Sequence, residues 1–252
     1  MALKKLIAGN WKMNGLLGDS KERIDGLKSF FEQESEGGTK FDLLVCPPAS
    51  LLAPVKGMIA DADIALGGQD CHIALKGAFT GDISAQMLQD QGCKYVIVGH
   101  SERRGDHAEV SAMVAQKARM AHEAGLVAII CLGELEGHRD TGQAEQIVGQ
   151  QLMESVPDSA NAENTVIAYE PVWAIGTGKV AEPEDIKQMH GFIREKLSEK
   201  VDVPEYVKIL YGGSVKPSNA AEILSIENVD GALIGGASLA AEDFLGIATA
   251  DY

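Results

Sequence analysis

The sequence predicts an α/β protein, built as an eightfold βα barrel in which each parallel strand is followed by a helix. Three observations support this fold class. Short apolar segments recur eight times along the 252 residues, at an average spacing of about thirty. Segments with helical periodicity lie between them. No long linker or low-complexity segment divides the chain, so we expect a single domain over residues 1–252.

The eight apolar segments are predicted to be strands that are buried on both faces. Several of them, such as VAIICL and KYVIVG, are almost continuously apolar, which is typical of parallel strands. An open doubly wound sheet is the alternative, but its first strand normally leads into a Gly-x-Gly-x-x-Gly turn that is missing here. The predicted strands are Lys5–Asn10, Asp42–Cys46, Asp63–Gly67, Tyr95–Gly99, Leu126–Leu132, Val166–Glu170, Val207–Tyr211 and Gly231–Gly235.

Three of the connecting segments carry an apolar stripe at helical spacing. We expect each stripe to pack against the barrel. A proline is favoured in the first turn of a helix, and a glycine often ends one in the left-handed conformation. The stripes are Ile24, Leu27 and Phe31 within Asp19–Glu36; Val110, Val114, Ala118 and Ala121 ahead of Gly125; and Ile186, Met189, Ile193 and Leu197 after Pro183.

Charge and cysteine content exclude several classes of protein. With 22 Lys and Arg against 37 Asp and Glu, the net charge of −15 argues against binding to nucleic acid or an anionic membrane. It does not exclude a small anion, which needs only a local cluster of donors.

The cysteines form no C-x-x-C pair and are expected to be reduced and mostly buried. Cys71-His72 lacks a second ligand pair, so no metal is expected. With no membrane-length apolar segment, the sequence predicts a cytoplasmic protein.

Polar and glycine residues follow several of the predicted strands. In a barrel these strand ends meet at one rim, where barrel enzymes hold their active sites. Taken singly, such a lysine, histidine or glutamate is more often a surface or structural residue. Their shared position at one rim favours a functional site. The residues are Asn10 and Lys12, the run Gly99-His100-Ser101-Glu102, Glu170, the run Gly212-Gly213-Ser214, and Gly235-Gly236.

The loop after Glu170 is unusually apolar. A proline begins it and glycines lie near its end, a pattern that suits a lid closing over a ligand. A static loop packed on the rim is the alternative. Small glycine turns can expose main-chain N–H groups to phosphate oxygens, and barrels often bind phosphate after strands seven and eight. The predicted lid consists of Pro171, Val172, Trp173, Ala174, Ile175, Gly176, Thr177, Gly178 and Lys179.

Six sequence blocks resemble the triosephosphate isomerase family, in its order and at its spacing over essentially the whole chain. They are GNWKMN (9–14), GAFTGDIS (77–84), VGHSERR (98–104), AYEPVWAIGTGK (168–179), YGGSV (211–215) and GALIGGASL (231–239). The resemblance implies a TIM barrel and a homodimer that interconverts dihydroxyacetone phosphate and D-glyceraldehyde 3-phosphate in glycolysis and gluconeogenesis. It implies no cofactor and no metal. Departures at Gly105-Asp106 and in residues 135–142 change no position of the catalytic set.

The resemblance also assigns roles to individual residues. It implies that Glu170 is the catalytic base and His100 the electrophile that polarises the carbonyl. Lys12 and Asn10 would bind substrate and stabilise negative charge. The remaining implied roles are phosphate binding for Gly176, Ser214, Gly235 and Gly236, a supporting rim carboxylate for Glu102 beside Lys12, and a dimer-loop contact for Thr80.

Two other kinds of function remain as alternatives. One is a different cofactor-free phosphosugar enzyme on the same barrel; an aldolase or a metal-dependent epimerase would need a Schiff-base lysine or metal ligands, and neither pattern is present. The other is a non-catalytic phosphate-binding protein, which would not need Glu170, His100 and Lys12 together.

Overall fold

A computed structural model describes residues 4–33, 39–175 and 179–252 and shows a closed barrel. The strands follow one another around it in sequence order, and every neighbouring pair is parallel. This confirms the predicted barrel and rules out the open doubly wound sheet. Within the described ranges the strands are β1 (Lys5–Asn10), β2 (Phe41–Cys46), β3 (Ile64–Gly68), β4 (Tyr95–Val98), β5 (Val127–Leu132), β6 (Thr165–Tyr169), β7 (Lys208–Tyr211) and β8 (Gly231–Ile234).

Helices connect the strands on the outside of the barrel. Short 3-10 turns lie at Ala49–Leu51 in the β2–β3 connection, at Val172–Ala174 and Pro204–Tyr206 in the β6–β7 connection, and at Gly236–Leu239 after β8. In the described part of the chain the α-helices are α1 (Leu17–Gln33), α2 (Leu52–Met58), α3 (Ala85–Asp90), α4 (Ser101–Asp106), α5 (Ser111–Glu123), α6 (Glu136–Asp140), α7 (Ala144–Ser155), α8 (Pro183–Leu197), α9 (Pro217–Leu224) and α10 (Ala241–Ala248).

The predicted helix stripes are buried, with two exceptions: Phe31 of α1 is only partly buried, and Val110 is exposed. Ile24 and Leu27 of α1 and the four stripe residues of α8 are less than 4% exposed. Val114, Ala118 and Ala121 of α5 are fully buried, and Gly125 has the expected left-handed backbone, with φ +76°. The prediction was wrong for Val110, which is 62% exposed. Val110 precedes the first turn of α5 with extended backbone, so its side chain does not share the helix face.

The strands separate two apolar layers. One set of alternate residues, including Leu6, Ala8, Val166 and Ala168, fills the inside of the barrel. The intervening residues, such as Ile7 and Ile167, pack outward against the helices. This alternation follows from the two-residue repeat of a strand and decides which way the residue at each strand end points.

All four cysteines are free and buried, as predicted. No helix in the described ranges combines the length and apolarity needed to cross a membrane.

Candidate active site

A cavity of about 390 Å³ opens at the carboxyl ends of the strands. Its wall includes most of the side chains predicted for the rim, though not Ser101 or Glu102, together with the glycine turns after β7 and β8. Gly176 lies outside the described residues. The predicted site residues that border the cavity are Asn10, Lys12, His100, Glu170, Ser214, Gly235 and Gly236, along with Ala174 and Ile175 of the predicted lid.

Asn10 and Lys12 lie at the end of β1. Asn10 continues the inward parity of Leu6 and Ala8 and is 5% exposed. Its Oδ1 accepts a hydrogen bond from the Lys12 main-chain N–H at 3.0 Å. Lys12 has φ +50°, an uncommon conformation for a residue with a side chain. Its Nζ lies 2.5 Å from Glu102 Oε1, so Glu102 takes the place beside Lys12 that the resemblance implied.

His100 faces the cavity because the chain turns sharply after β4. Gly99 has φ +65°, and a Cβ on it would lie 2.6 Å from a methyl carbon of Val114. His100 is therefore not placed by simple strand alternation. It caps α4, and its Nδ1 accepts the main-chain N–H of Glu102 at 3.2 Å. A ring that accepts at Nδ1 carries its proton on Nε2, which is the atom that faces Glu170.

Glu170 continues the inward parity of Val166 and Ala168 and is only 2% exposed. Its Oε1 lies 2.9 Å from His100 Nε2. Its Oε2 accepts the main-chain N–H of Ser101 at 2.9 Å, and Ser101 Oγ lies 3.3 Å from Oε1. The carboxylate is thus held at the start of α4, at the edge of the cavity.

These partners set the ionisation of Glu170. Burial would by itself raise its pKa. The attraction and hydrogen bond of His100, the Ser101 main-chain N–H and the charge of Lys12 act in the opposite direction and outweigh burial. The pKa of Glu170 is therefore lowered from the usual carboxyl value, and the group is ionised at neutral pH.

The first part of the predicted lid, residues 171–175, is anchored to a buried carboxylate. Glu134 is fully buried and accepts hydrogen bonds from Trp173 Nε1 at 2.8 Å and from the Tyr169 hydroxyl at 3.1 Å. The Arg139 guanidinium lies over the Trp173 ring, 4.7 Å from its centroid. At the other end Lys179 pairs with Glu136. Gly176, Thr177 and Gly178, which complete the predicted lid, lie outside the described residues.

The sequence placed Ser101 at the rim without a role and did not single out Glu134. Each serves as a partner of a predicted residue, Ser101 for Glu170 and Glu134 for Trp173. Only their positions in the sequence could have pointed to these two residues. Ser101 directly follows His100, and Glu134 lies just beyond β5. Thr80 lies in the exposed loop between β3 and α3 and does not border the cavity of its own chain. In the described ranges, no cluster of three or more His, Cys, Asp or Glu side chains could hold a metal ion.

An ionised carboxylate, an imidazole donor and an ammonium group border one small cavity in a closed parallel barrel. Fold and site together define a barrel enzyme suited to acid–base chemistry on a small anionic substrate. The family model described as triosephosphate isomerase matches residues 5–251. The chain belongs to the triosephosphate isomerase family, and it is an isomerase.

Individual relatives agree over nearly their whole length. The chain is 54% identical over 249 residues to a triosephosphate isomerase of Afipia carboxidovorans, covering 98% of each chain. It is 52% identical over 248 residues to one of Bradyrhizobium diazoefficiens, covering 98% of this chain and 97% of the relative. The crystal structure of triosephosphate isomerase from Bartonella henselae superposes with a TM-score of 0.88 at 45% identity, over 97% of this chain and 98% of the other.

Proposed function

We propose that the protein interconverts dihydroxyacetone phosphate and D-glyceraldehyde 3-phosphate through an enediolate, in glycolysis and gluconeogenesis. The observation that carries this proposal is the pairing of Glu170 with His100, 2.9 Å apart, at the wall of one cavity. Proton transfer next to a carbonyl needs both a base for the carbon and a donor for the oxygen. Family membership favours this reaction over that of another phosphosugar enzyme.

Glu170 is the proposed base. It takes a proton from one carbon of the substrate and returns it to the neighbouring carbon, which converts ketose to aldose and the reverse. In the structure its carboxylate is occupied by the Ser101 N–H and by His100. The carboxylate therefore has to leave Ser101 and turn into the cavity when substrate is bound. Between turnovers, the Ser101 N–H thus keeps the Glu170 carboxylate ionised and turned away from the substrate position.

His100 and Lys12 are proposed to stabilise the enediolate. The Nε2–H of His100 donates to the substrate oxygen once Glu170 has turned away, and it can pass protons between the two oxygens. Lys12 supplies the positive charge, with Asn10 holding its main chain. Its ion pair with Glu102 keeps the ammonium at the rim before substrate arrives. Fixed donors of this kind stabilise developing charge without reorganising during the reaction.

The phosphate of the substrate is proposed to bind at the glycine turns. Main-chain N–H groups of Ser214, Gly235 and Gly236 would hold it, with Gly176 contributing when the lid closes. The Gly235 turn is fixed because its carbonyl accepts both the N–H and the hydroxyl of Ser238, at 2.9 and 2.7 Å. Closure also excludes water, which protects an enediolate that could otherwise lose phosphate. No cofactor or metal has a role in this proposal.

A coupled isomerase assay tests the function directly. The purified protein is expected to convert each triose phosphate into the other. Adding a chelator should leave both rates unchanged. Absence of turnover with both substrates would exclude the proposal. Turnover that is abolished by chelator would instead indicate a metal-dependent phosphosugar enzyme.

The lid proposal predicts that a ligand suppresses proteolysis. Saturating phosphoglycolate, which resembles the enediolate, should slow cleavage near Trp173. At one hundred times its Kd, a ligand that binds only the closed state suppresses opening by about a hundredfold. Cleavage in the surface loop 158–164 is the control and should not change. An unchanged cleavage rate near Trp173 would mean that the loop is static.

The lowered pKa of Glu170 predicts the acid side of the pH profile. A base with a depressed pKa stays ionised as the pH falls, so kcat/KM should decline only below the usual carboxyl value of 4.5. The second ionisation of the substrate phosphate, near pH 6, has to be corrected for first. The measurement is kcat/KM against pH, with tryptophan fluorescence to confirm that the protein stays folded. A corrected profile that still falls between pH 6 and 7 would show that burial dominates instead.

We also propose the assembly and location that the resemblance implies. Several large apolar side chains are exposed in and next to the loops after β1 and β3, which supports a homodimer in which Thr80 approaches the partner's site. They are Met13, Leu16, Leu17, Phe79 and Met87. Sedimentation equilibrium should therefore give twice the chain mass of 26.7 kDa.

The net charge of −15 supports the absence of nucleic acid among the partners of the protein. The free cysteines support a location in the cytoplasm. We regard residues 1–252 as one barrel domain.

A further inference from the structure

A second lysine, Lys216, borders the cavity beside the glycine turn after β7. It immediately precedes Pro217, which begins α9, and a residue before proline is driven toward extended backbone. Its backbone is extended accordingly, with φ −135° and ψ 161°. Its neighbour Val215 is buried at 5%, whereas Lys216 itself is exposed. The alternation directs Val215 into the core and leaves Lys216 at the mouth of the cavity.

The main chain that carries Lys216 is rigidly held. Asn219 Oδ1 accepts the N–H of Lys216 at 2.8 Å, and Asn219 Nδ2 donates to the carbonyl of Ser214 at 3.3 Å. One side chain thus ties together the residues on both sides of Val215. The position of the lysine relative to Ser214, a proposed phosphate ligand, is therefore fixed by the fold.

The charges around the cavity make Lys216 exceptional. Lys12 is paired with Glu102 at 2.5 Å, and Glu170 brings a negative charge to the same wall. Within the described ranges, no carboxylate lies within 4.0 Å of the Lys216 ammonium. The proposed phosphate ligands are main-chain N–H groups without formal charge. Lys216 is thus the cavity-wall cation that is left uncompensated, in a chain of net charge −15.

We propose that Lys216 is a specificity-determining residue that attracts the phosphate dianion to the turns after β7 and β8. This inference rests on the proposed function and extends it, since the role requires a phosphorylated substrate. An acidic protein repels a dianion as it approaches, and an uncompensated cation at the cavity mouth offsets that repulsion locally. The effect is strongest at low ionic strength, because exposed charges are screened over about 10 Å in 0.1 M salt.

Charge variants of Lys216 test the inference, with Lys187 as the matched control. Lys187 is exposed on α8, lies outside the cavity wall and has no ion-pair partner among the described residues. Lys187→Gln therefore removes the same charge from elsewhere on the surface. Lys216→Gln should raise the Kd of inorganic phosphate, measured by calorimetry, by about three- to tenfold at low salt. Lys216→Glu should raise it further, and Lys187→Gln should leave it nearly unchanged.

The kinetic counterpart is a rise in KM that exceeds any fall in kcat. The loss in kcat/KM should shrink as salt is added. Equal phosphate affinities for Lys216→Gln and Lys187→Gln would overturn the inference, as would a loss that does not depend on salt. The calorimetric measurement needs no turnover, so it is separate from the isomerase assay. Activity without a Lys216 effect refutes only the inference, whereas Lys216-dependent phosphate binding without activity refutes only the proposed reaction.

Discussion

Replacing Glu170 by aspartate is expected to lower kcat by about several hundred-fold while the protein remains folded. The substitution keeps the carboxylate but draws it back by one methylene, about 1.5 Å. A misplacement of only about 1 Å at a reacting group can cost a factor of a hundred. The shortened side chain has to reach the substrate carbon from a main chain that the end of β6 holds in place. We expect KM to change little, because the phosphate is bound elsewhere.

The control for this result is Glu163→Asp, which makes the same chemical change in an exposed loop before β6. That variant should match the unsubstituted enzyme in kcat and in thermal stability. Circular dichroism would show whether the Glu170→Asp protein is folded. Full activity of folded Glu170→Asp in the coupled assay would remove Glu170 from the role of base.

Replacing His100 by asparagine is expected to lower kcat by about a hundred- to a thousandfold, the usual cost of losing one donor to an oxyanion. Asparagine suits this position because it is among the best residues at the start of a helix. It can accept the Glu102 N–H as His100 Nδ1 does now, at 3.2 Å, so α4 should keep its first turn. Its side chain is too short to place a donor where Nε2 lies. Activity within tenfold of the unsubstituted enzyme would show that His100 is a structural cap.

The same variant should move the pH profile of what activity remains. Without His100 the carboxylate of Glu170 loses an attraction and a hydrogen bond that lower its pKa, while its burial persists. The pKa of Glu170 should therefore rise, and the acid decline of kcat/KM should move to higher pH. The Kd of inorganic phosphate should stay the same, because the glycine turns are untouched. A variant that was merely destabilised would not combine a shifted acid decline of kcat/KM with an unchanged Kd of inorganic phosphate.

Much of the fold could be predicted because its signals are local. Each predicted strand is present, with ends that differ by no more than one residue, since continuous apolar segments mark buried strands wherever they occur. The rim residues could be placed for the same reason: Asn10 and Glu170 keep the inward parity of their strands. His100 could be assigned to the rim by position, but its direction depends on the left-handed turn at Gly99.

The contacts between strand ends could not be predicted in the same way. Ser101 and Glu170 are 69 positions apart in sequence, and Trp173 and Glu134 are 39 apart. Nothing in either local sequence identifies the other partner. The exposure of Val110 depended similarly on where α5 begins, and helix boundaries are the least certain part of any periodic pattern.

The sequence alone determined the barrel, its strand order and the set of chemical groups at its rim, because apolar periodicity and strand-end position are properties of neighbouring residues. The tertiary structure alone decided how those groups act on one another. It paired Glu170 with His100 and Ser101, which lowers the pKa of the base despite burial, and it paired Lys12 with Glu102 while leaving Lys216 uncompensated. Electrostatic and hydrogen-bond energies depend on distances of a few ångströms, and only closure of the barrel sets those distances.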